Sequence, residues 1–134
     1  MLCKTTSMKH KVLIVDDNPD SVAIMRSILE SRGYDVAAAQ SGAEALDFLQ
    51  RETVNLVLLD IMMPEMSGTE VLQRIKDNAA TGRLPVILVT AKTQDEDVLS
   101  GYQYGADYYI TKPFTAKQLL YGIELILGKG EPVG

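Results

Sequence analysis

The sequence predicts a doubly wound α/β domain, with five strands in one parallel sheet, five helices and three layers. Two observations carry this. Apolar runs of strand length alternate with helix-length segments whose apolar residues recur every three or four positions. Short turns join them, which is the pattern of repeated strand–helix–strand units with right-handed crossovers. The clearest run, residues 56–60, is apolar through Leu59 and ends in Asp60. A strand apolar on both faces suits the centre of a parallel sheet. A carboxylate at its end is costly unless it sits in a wet cleft with a cation nearby.

Residues 12–15 form the first strand, ending at Asp16-Asp17. Asn18-Pro19 opens a helix by supplying a cap and a proline at the first helical position. Val22, Met25 and Leu29 follow at helical spacing, and Gly33 is the expected stop. Residues 36–39 read as a short second strand. Ser41 and Glu44 predict a capping box, with Leu46 and Leu49 on one helical face. After the third strand, Ser67 and Glu70 predict another box ahead of Val71, Leu72 and Ile75. Residues 86–89 form a fourth strand, ending at Thr90-Ala91. Thr93 and Glu96 cap a fourth helix reaching about Tyr104, with Gly105 after it. Residues 107–111 form the fifth strand, ending at Lys112-Pro113-Phe114. Thr115 and Gln118 cap a last helix carrying Leu119, Leu120, Ile123, Ile126 and Leu127.

The 134 residues suffice for one domain with a proper core. Residues 1–10 read as a flexible N-terminal tail, 11–128 as the domain, and 129–134 as a C-terminal tail or the start of a linker. The net charge of −5 argues against a nucleic-acid surface, which needs clustered Lys and Arg. One cysteine, Cys3, excludes a disulfide framework, and one histidine, His10, excludes His-rich metal sites. His10 is expected to be solvated in the tail. The polar, basic start is not a signal peptide, and no stretch approaches a membrane span. A cytoplasmic protein with no membrane contact is expected.

In such sheets ligands bind at the carboxyl ends of the strands, where strand order reverses. Asp16, Asp17, Asp60, Thr90 and Lys112 all fall at or just beyond strand ends. With order 2-1-3-4-5 the first and third strands are neighbours, and their carboxylates converge. Capping of the first helix accounts for Asp16 or Asp17 singly, and solvation accounts for Lys112 singly. Their gathering on one edge needs a common cause. Three carboxylates repel unless a cation intervenes. Oxygen-only ligands favour a hard divalent ion, Mg²⁺ being the usual choice. With Lys112 as a counter-charge and Thr90 as a hydroxyl donor, the set suits phosphoryl transfer, with Asp60 as nucleophile.

The chain resembles the receiver domain of bacterial two-component response regulators, in the manner of the chemotaxis regulators. The resemblance covers about residues 11–127. It rests on Asp16-Asp17, on Leu58-Leu59-Asp60-Ile61-Met62-Met63-Pro64-Glu65-Met66-Ser67-Gly68, on Thr90-Ala91 and on Lys112-Pro113-Phe114. It implies a flavodoxin-like (βα)5 fold. It also implies that Asp60 takes a phosphoryl group from a histidine kinase or histidine phosphotransfer protein. Asp17, Asp60 and the Met62 carbonyl would bind Mg²⁺ directly, and Asp16 through water. Lys112 and Thr90 would contact the phosphoryl oxygens. Thr90 and Tyr109 would form the switch, and Lys112–Pro113 would be cis. A downstream protein or output domain would read the face of the fourth helix, fifth strand and last helix, where Tyr102, Tyr104 and Tyr108 are also expected by position. The domain would bind no nucleic acid and catalyse only its own phosphorylation and dephosphorylation.

Two rivals are weaker. A phosphohydrolase with an aspartyl-phosphate intermediate would carry Asp-x-Asp at one strand end and a cap domain. A nucleotide- or flavin-binding module would need a Gly-rich or Ser/Thr-rich loop after the first strand. That loop is instead Asp16-Asp17-Asn18-Pro19.

Overall fold

The computed structural model of the protein describes residues 10–61, 63, 66–91 and 105–128. The elements in order are β1 (Lys11–Val15), α1 (Pro19–Glu30), β2 (Asp35–Ala39), α2 (Gly42–Arg51), β3 (Leu56–Leu59), α3 (Gly68–Asp77), β4 (Val86–Thr90), β5 (Tyr108–Thr111) and α4 (Ala116–Leu127). The helix expected between Thr93 and Tyr104, with Tyr102 in it, lies outside the described residues. So do 1–9 and 129–134.

The sheet order is β2-β1-β3-β4-β5 with every pairing parallel, as the sequence predicts. Alternate side chains leave the sheet on opposite faces. Leu13, Val15, Val57, Leu59 and Leu88 pack against Ala45, Val71, Leu72 and Ile75 of α2 and α3. Val12, Ile14, Leu56, Leu58, Ile87 and Val89 pack against Met25 and Leu29 of α1 and Leu119 and Ile123 of α4. The result is three layers with flavodoxin-like winding. Each fully buried Leu or Ile contributes roughly 2 kcal/mol. Exposed helix pairs such as Arg26–Glu30 and Arg51–Asp47 add only about 0.3–0.5 kcal/mol each, so burial decides the fold.

Helix starts follow the expected signals, with two corrections. The Asn18 side chain accepts from the Asp20 and Ser21 N–H groups, with Pro19 at the first helical position. Thr115 and Gln118 form a complete capping box. At α2, Ser41 accepts from the Glu44 N–H, but Glu44 reaches back to the Gln40 N–H rather than to that of Ser41. At α3, Ser67 accepts from the Glu70 N–H, while the Glu70 carboxylate pairs forward with Arg74. Each long acidic side chain thus has a competing partner.

Boundaries shift by a residue in places. β2 begins at Asp35, and β5 begins at Tyr108 rather than 107. Asp107 serves as a staple instead: its carboxylate accepts from the Val86 N–H at 2.9 Å and from Lys76 at 3.4 Å. α1 ends at Glu30, and Gly33 follows with φ 87°, the left-handed turn expected of the stop. His10 corrects its expectation. Its carbonyl accepts from the Asp35 N–H at 2.9 Å, and its half-buried ring stacks on Tyr34, centroids 6.4 Å apart. It belongs to the lower edge of the sheet. Among the described residues, no helix is long and apolar enough to cross a membrane.

Candidate functional site

The site is a consequence of register. Val15 pairs with Leu59, so Asp16 and Asp60 are the next residues at the same edge. The Asp60 N–H donates to the Val15 carbonyl at 3.0 Å, and the Asp16 N–H to that of Ala39 at 3.1 Å. β3 itself ends at Leu59, one residue short of the predicted end. Beyond Asp60 the chain turns, and the Gly68 N–H closes that turn onto the Ile61 carbonyl at 2.8 Å.

Asp16 and Asp60 are buried, 1% and 7% exposed, and Asp17 is open to solvent. Carboxylate oxygens of all three lie within 4.8 Å of one another. One Asp16 oxygen accepts from the Asn18 N–H at 3.0 Å, the other from Lys112 at 2.8 Å. Lys112 also reaches Asp60 Oδ2 at 3.4 Å and Ser21 Oγ at 3.3 Å. Burial pulls the Lys112 ammonium toward deprotonation. The hydrogen bond to Asp16 and the charges of Asp60 and Asp16 more than offset this, holding it above the ordinary lysine range. The Lys112–Pro113 peptide is cis, as the resemblance implies.

Three carboxylates facing one ammonium and one open side form a donor set that fits a hard divalent cation such as Mg²⁺. All three donors are oxygen, and their mutual repulsion is relieved by a cation between them.

Gly68 has a steric role that the sequence pattern does not reveal. A Cβ there would lie 2.3 Å from the Asp60 carbonyl oxygen and 2.4 Å from Ile61 Cα. Only glycine lets the start of α3 seat against the backbone of the site.

The remaining predicted residues divide. Thr90 closes β4 in register with Thr111, the residue before Lys112, which puts its backbone at the site edge. Its side chain lies outside the described residues. Met62 and its carbonyl also lie outside them. Tyr109 pairs with Leu88 and packs half-buried on the α2–α3 side of the sheet. Ser21 went unread in the sequence. The available signal was a hydroxyl in the first turn of the helix that Asn18-Pro19 opens, just beyond the carboxylate pair.

Comparison with known proteins agrees with this geometry. The response regulator receiver domain family matches residues 12–124. The nisin biosynthesis regulatory protein NisR of Lactococcus lactis subsp. lactis is 41% identical over 124 residues, which is 92% of this chain and 53% of that protein. The chain spans about half the length of most of the curated relatives it matches. Chemotaxis protein CheY4 of Vibrio cholerae superposes with a TM-score of 0.84 at 29% identity, over 88% of this chain and 98% of that one. The receiver domain of sensor histidine kinase PA1611 from Pseudomonas aeruginosa PAO1 gives 0.83 at 27%, over 90% and 98%, and its structure has a magnesium ion coordinated in the active-site cleft. The chain belongs to the response regulator receiver domain family of two-component systems.

Proposed function

We propose that Asp60 accepts a phosphoryl group from a phosphohistidine of a histidine kinase or histidine phosphotransfer protein, and that this modification switches a protein-binding face. The observation that carries the reading is the convergence of Asp16, Asp17, Asp60 and Lys112 at one sheet edge. An Asp60 oxygen attacks phosphorus in line, the phosphorus–nitrogen bond breaks, and the leaving imidazole takes a proton from solvent. Lys112 lies within reach of that oxygen and pairs with the phosphoryl oxygens as charge builds on them. Thr90 donates a hydrogen bond to them. Asp17, Asp60 and the Met62 carbonyl would hold Mg²⁺, with Asp16 acting through water. The ion supplies charge neutralisation that lets an anionic group approach a carboxylate.

A phosphoryl group brings close to two negative charges and three strong acceptors. Drawing Thr90 toward them favours the state in which Tyr109 turns inward, which changes the surface formed by the helix expected between Thr93 and Tyr104, β5 and α4. The phosphoryl group selects between states already available to the fold. A downstream protein or output domain reads that surface. The domain works in the cytoplasm, contacts neither membrane nor nucleic acid itself, and turns over no substrate but its own phosphoryl group.

Label transfer from a radiolabelled phosphohistidine protein tests this. Transferred label is expected to be released by hydroxylamine, as acyl phosphates are. Tyr109→Ala is expected to take up label at the wild-type rate while losing phosphorylation-dependent partner binding. Hydroxylamine-resistant label, or a Tyr109→Ala variant that still switches, would count against the scheme.

A further inference from the structure

We propose that Ser21 is a positioning residue for Lys112, its hydroxyl holding the ammonium so that one N–H stays aimed at Asp60. The inference rests on the phosphoacceptor reading above and names a residue that this reading does not use. A lysine ammonium carries three donors and no acceptor. Three acceptors surround it here: Asp16 Oδ2 at 2.8 Å, Ser21 Oγ at 3.3 Å and Asp60 Oδ2 at 3.4 Å.

The first two anchors belong to one turn. Asn18 donates its N–H to Asp16 Oδ1 and accepts the Ser21 N–H, at 3.3 Å, on its side-chain oxygen. The strand end and the first turn of α1 are thereby tied together, and Lys112 hangs from both. The third donor then faces β3, where the phosphoryl group arrives on Asp60. Asp16 alone cannot set this direction. A single charged contact leaves the ammonium free to rotate, and the two carboxylates together draw it into the cleft that an incoming phosphoryl group must enter. The serine hydroxyl is neutral, so it steers the ammonium without adding a competing charge.

The side chain of Lys112 keeps 21% of its surface exposed, so water can replace a lost partner in part. Phosphoryl uptake from acetyl phosphate in Ser21→Ala is therefore expected to slow by only about threefold to tenfold. The loss should fall on the maximal rate and leave the donor concentration for half-maximal rate unchanged. Ser21→Thr is expected to restore the rate, because it keeps the hydroxyl. Ser21→Val, of the same shape without it, is expected to stay slow. A second readout needs no phosphorylation: the ¹H–¹⁵N signal of the Lys112 ammonium in metal-free protein, expected in wild type and Ser21→Thr and broadened by exchange in Ser21→Ala and Ser21→Val.

Equal rates in all four proteins would overturn the role. So would an equal loss in Thr and Val variants accompanied by a lower melting temperature, since that marks a helix defect. If the wild type takes no phosphoryl group, the reading of Asp60 fails, and the ammonium signal still decides for or against Ser21.

Discussion

Replacing Gly68 with alanine is expected to destabilise the domain by about 3 kcal/mol, the upper end for overpacking, and to remove most phosphoryl uptake. The added Cβ would meet the Asp60 carbonyl oxygen at 2.3 Å and Ile61 Cα at 2.4 Å. Both are backbone atoms, so no side chain can swing aside. α3 must retreat, or the Asp60–Ile61 peptide must move, and the second displaces the phosphoacceptor itself. For a chain of this size such a loss lowers the melting temperature by roughly 10 °C. Gly33→Ala is the matched control. Gly33 has φ 87° with nothing within 4 Å of a built Cβ. It is expected to cost about 1 kcal/mol from backbone strain alone and to leave phosphorylation intact. Calorimetry with an acetyl phosphate assay on both variants checks the pair. Equal behaviour of the two would contradict the steric role of Gly68.

The second large effect is expected at Lys112. Replacing it with methionine keeps the stem and removes the ammonium that bridges Asp16 and Asp60. Breaking a buried pair costs about 3–5 kcal/mol, but this lysine is partly exposed and water screens it, so about 2 kcal/mol is expected in metal-free protein. Phosphoryl uptake should fall about a hundredfold, the scale for removing one group that stabilises developing charge. Added Mg²⁺ should stabilise the variant more than it stabilises wild type, because the carboxylates have lost their own cation. The pH dependence carries the same sign. The ammonium is held above the ordinary 10.5, so its contribution is complete below that value and is lost as pH rises through the folded-state value. The difference in stability between wild type and Lys112→Met should narrow above pH 10.5. A smaller Mg²⁺ shift in the variant, or an unchanged rate of uptake, would contradict this role of Lys112.

The parts of this protein that follow local rules were readable from residues alone. Apolar strand runs that stop just before Asp16 and Asp60, the Asn18-Pro19 start and the Thr115–Gln118 box all reappear in the structure. The family match also favours the receiver reading over the phosphohydrolase and nucleotide-binding alternatives. What could not be read depends on which segments meet in space. Glu44 and Glu70 each suit a capping box, yet Gln40 and Arg74 take them. His10 reads as tail until the Asp35 N–H and the Tyr34 ring close on it. Ser21 lies 91 positions from Lys112 in the chain, and only the winding of the sheet brings the start of α1 and the end of β5 to the same edge. Gly68 stands in the run that carries the resemblance, but its steric reason lies in the closeness of α3 to the Asp60 backbone, which only the folded chain shows.

The most direct test is intact mass after incubation with acetyl phosphate, with and without Mg²⁺, on wild type and Asp60→Asn. A Mg²⁺-dependent gain of one phosphoryl group in wild type, absent from Asp60→Asn, is the expected result. A gain that persists in Asp60→Asn, or no gain in wild type under any condition, would contradict Asp60 as the phosphoacceptor.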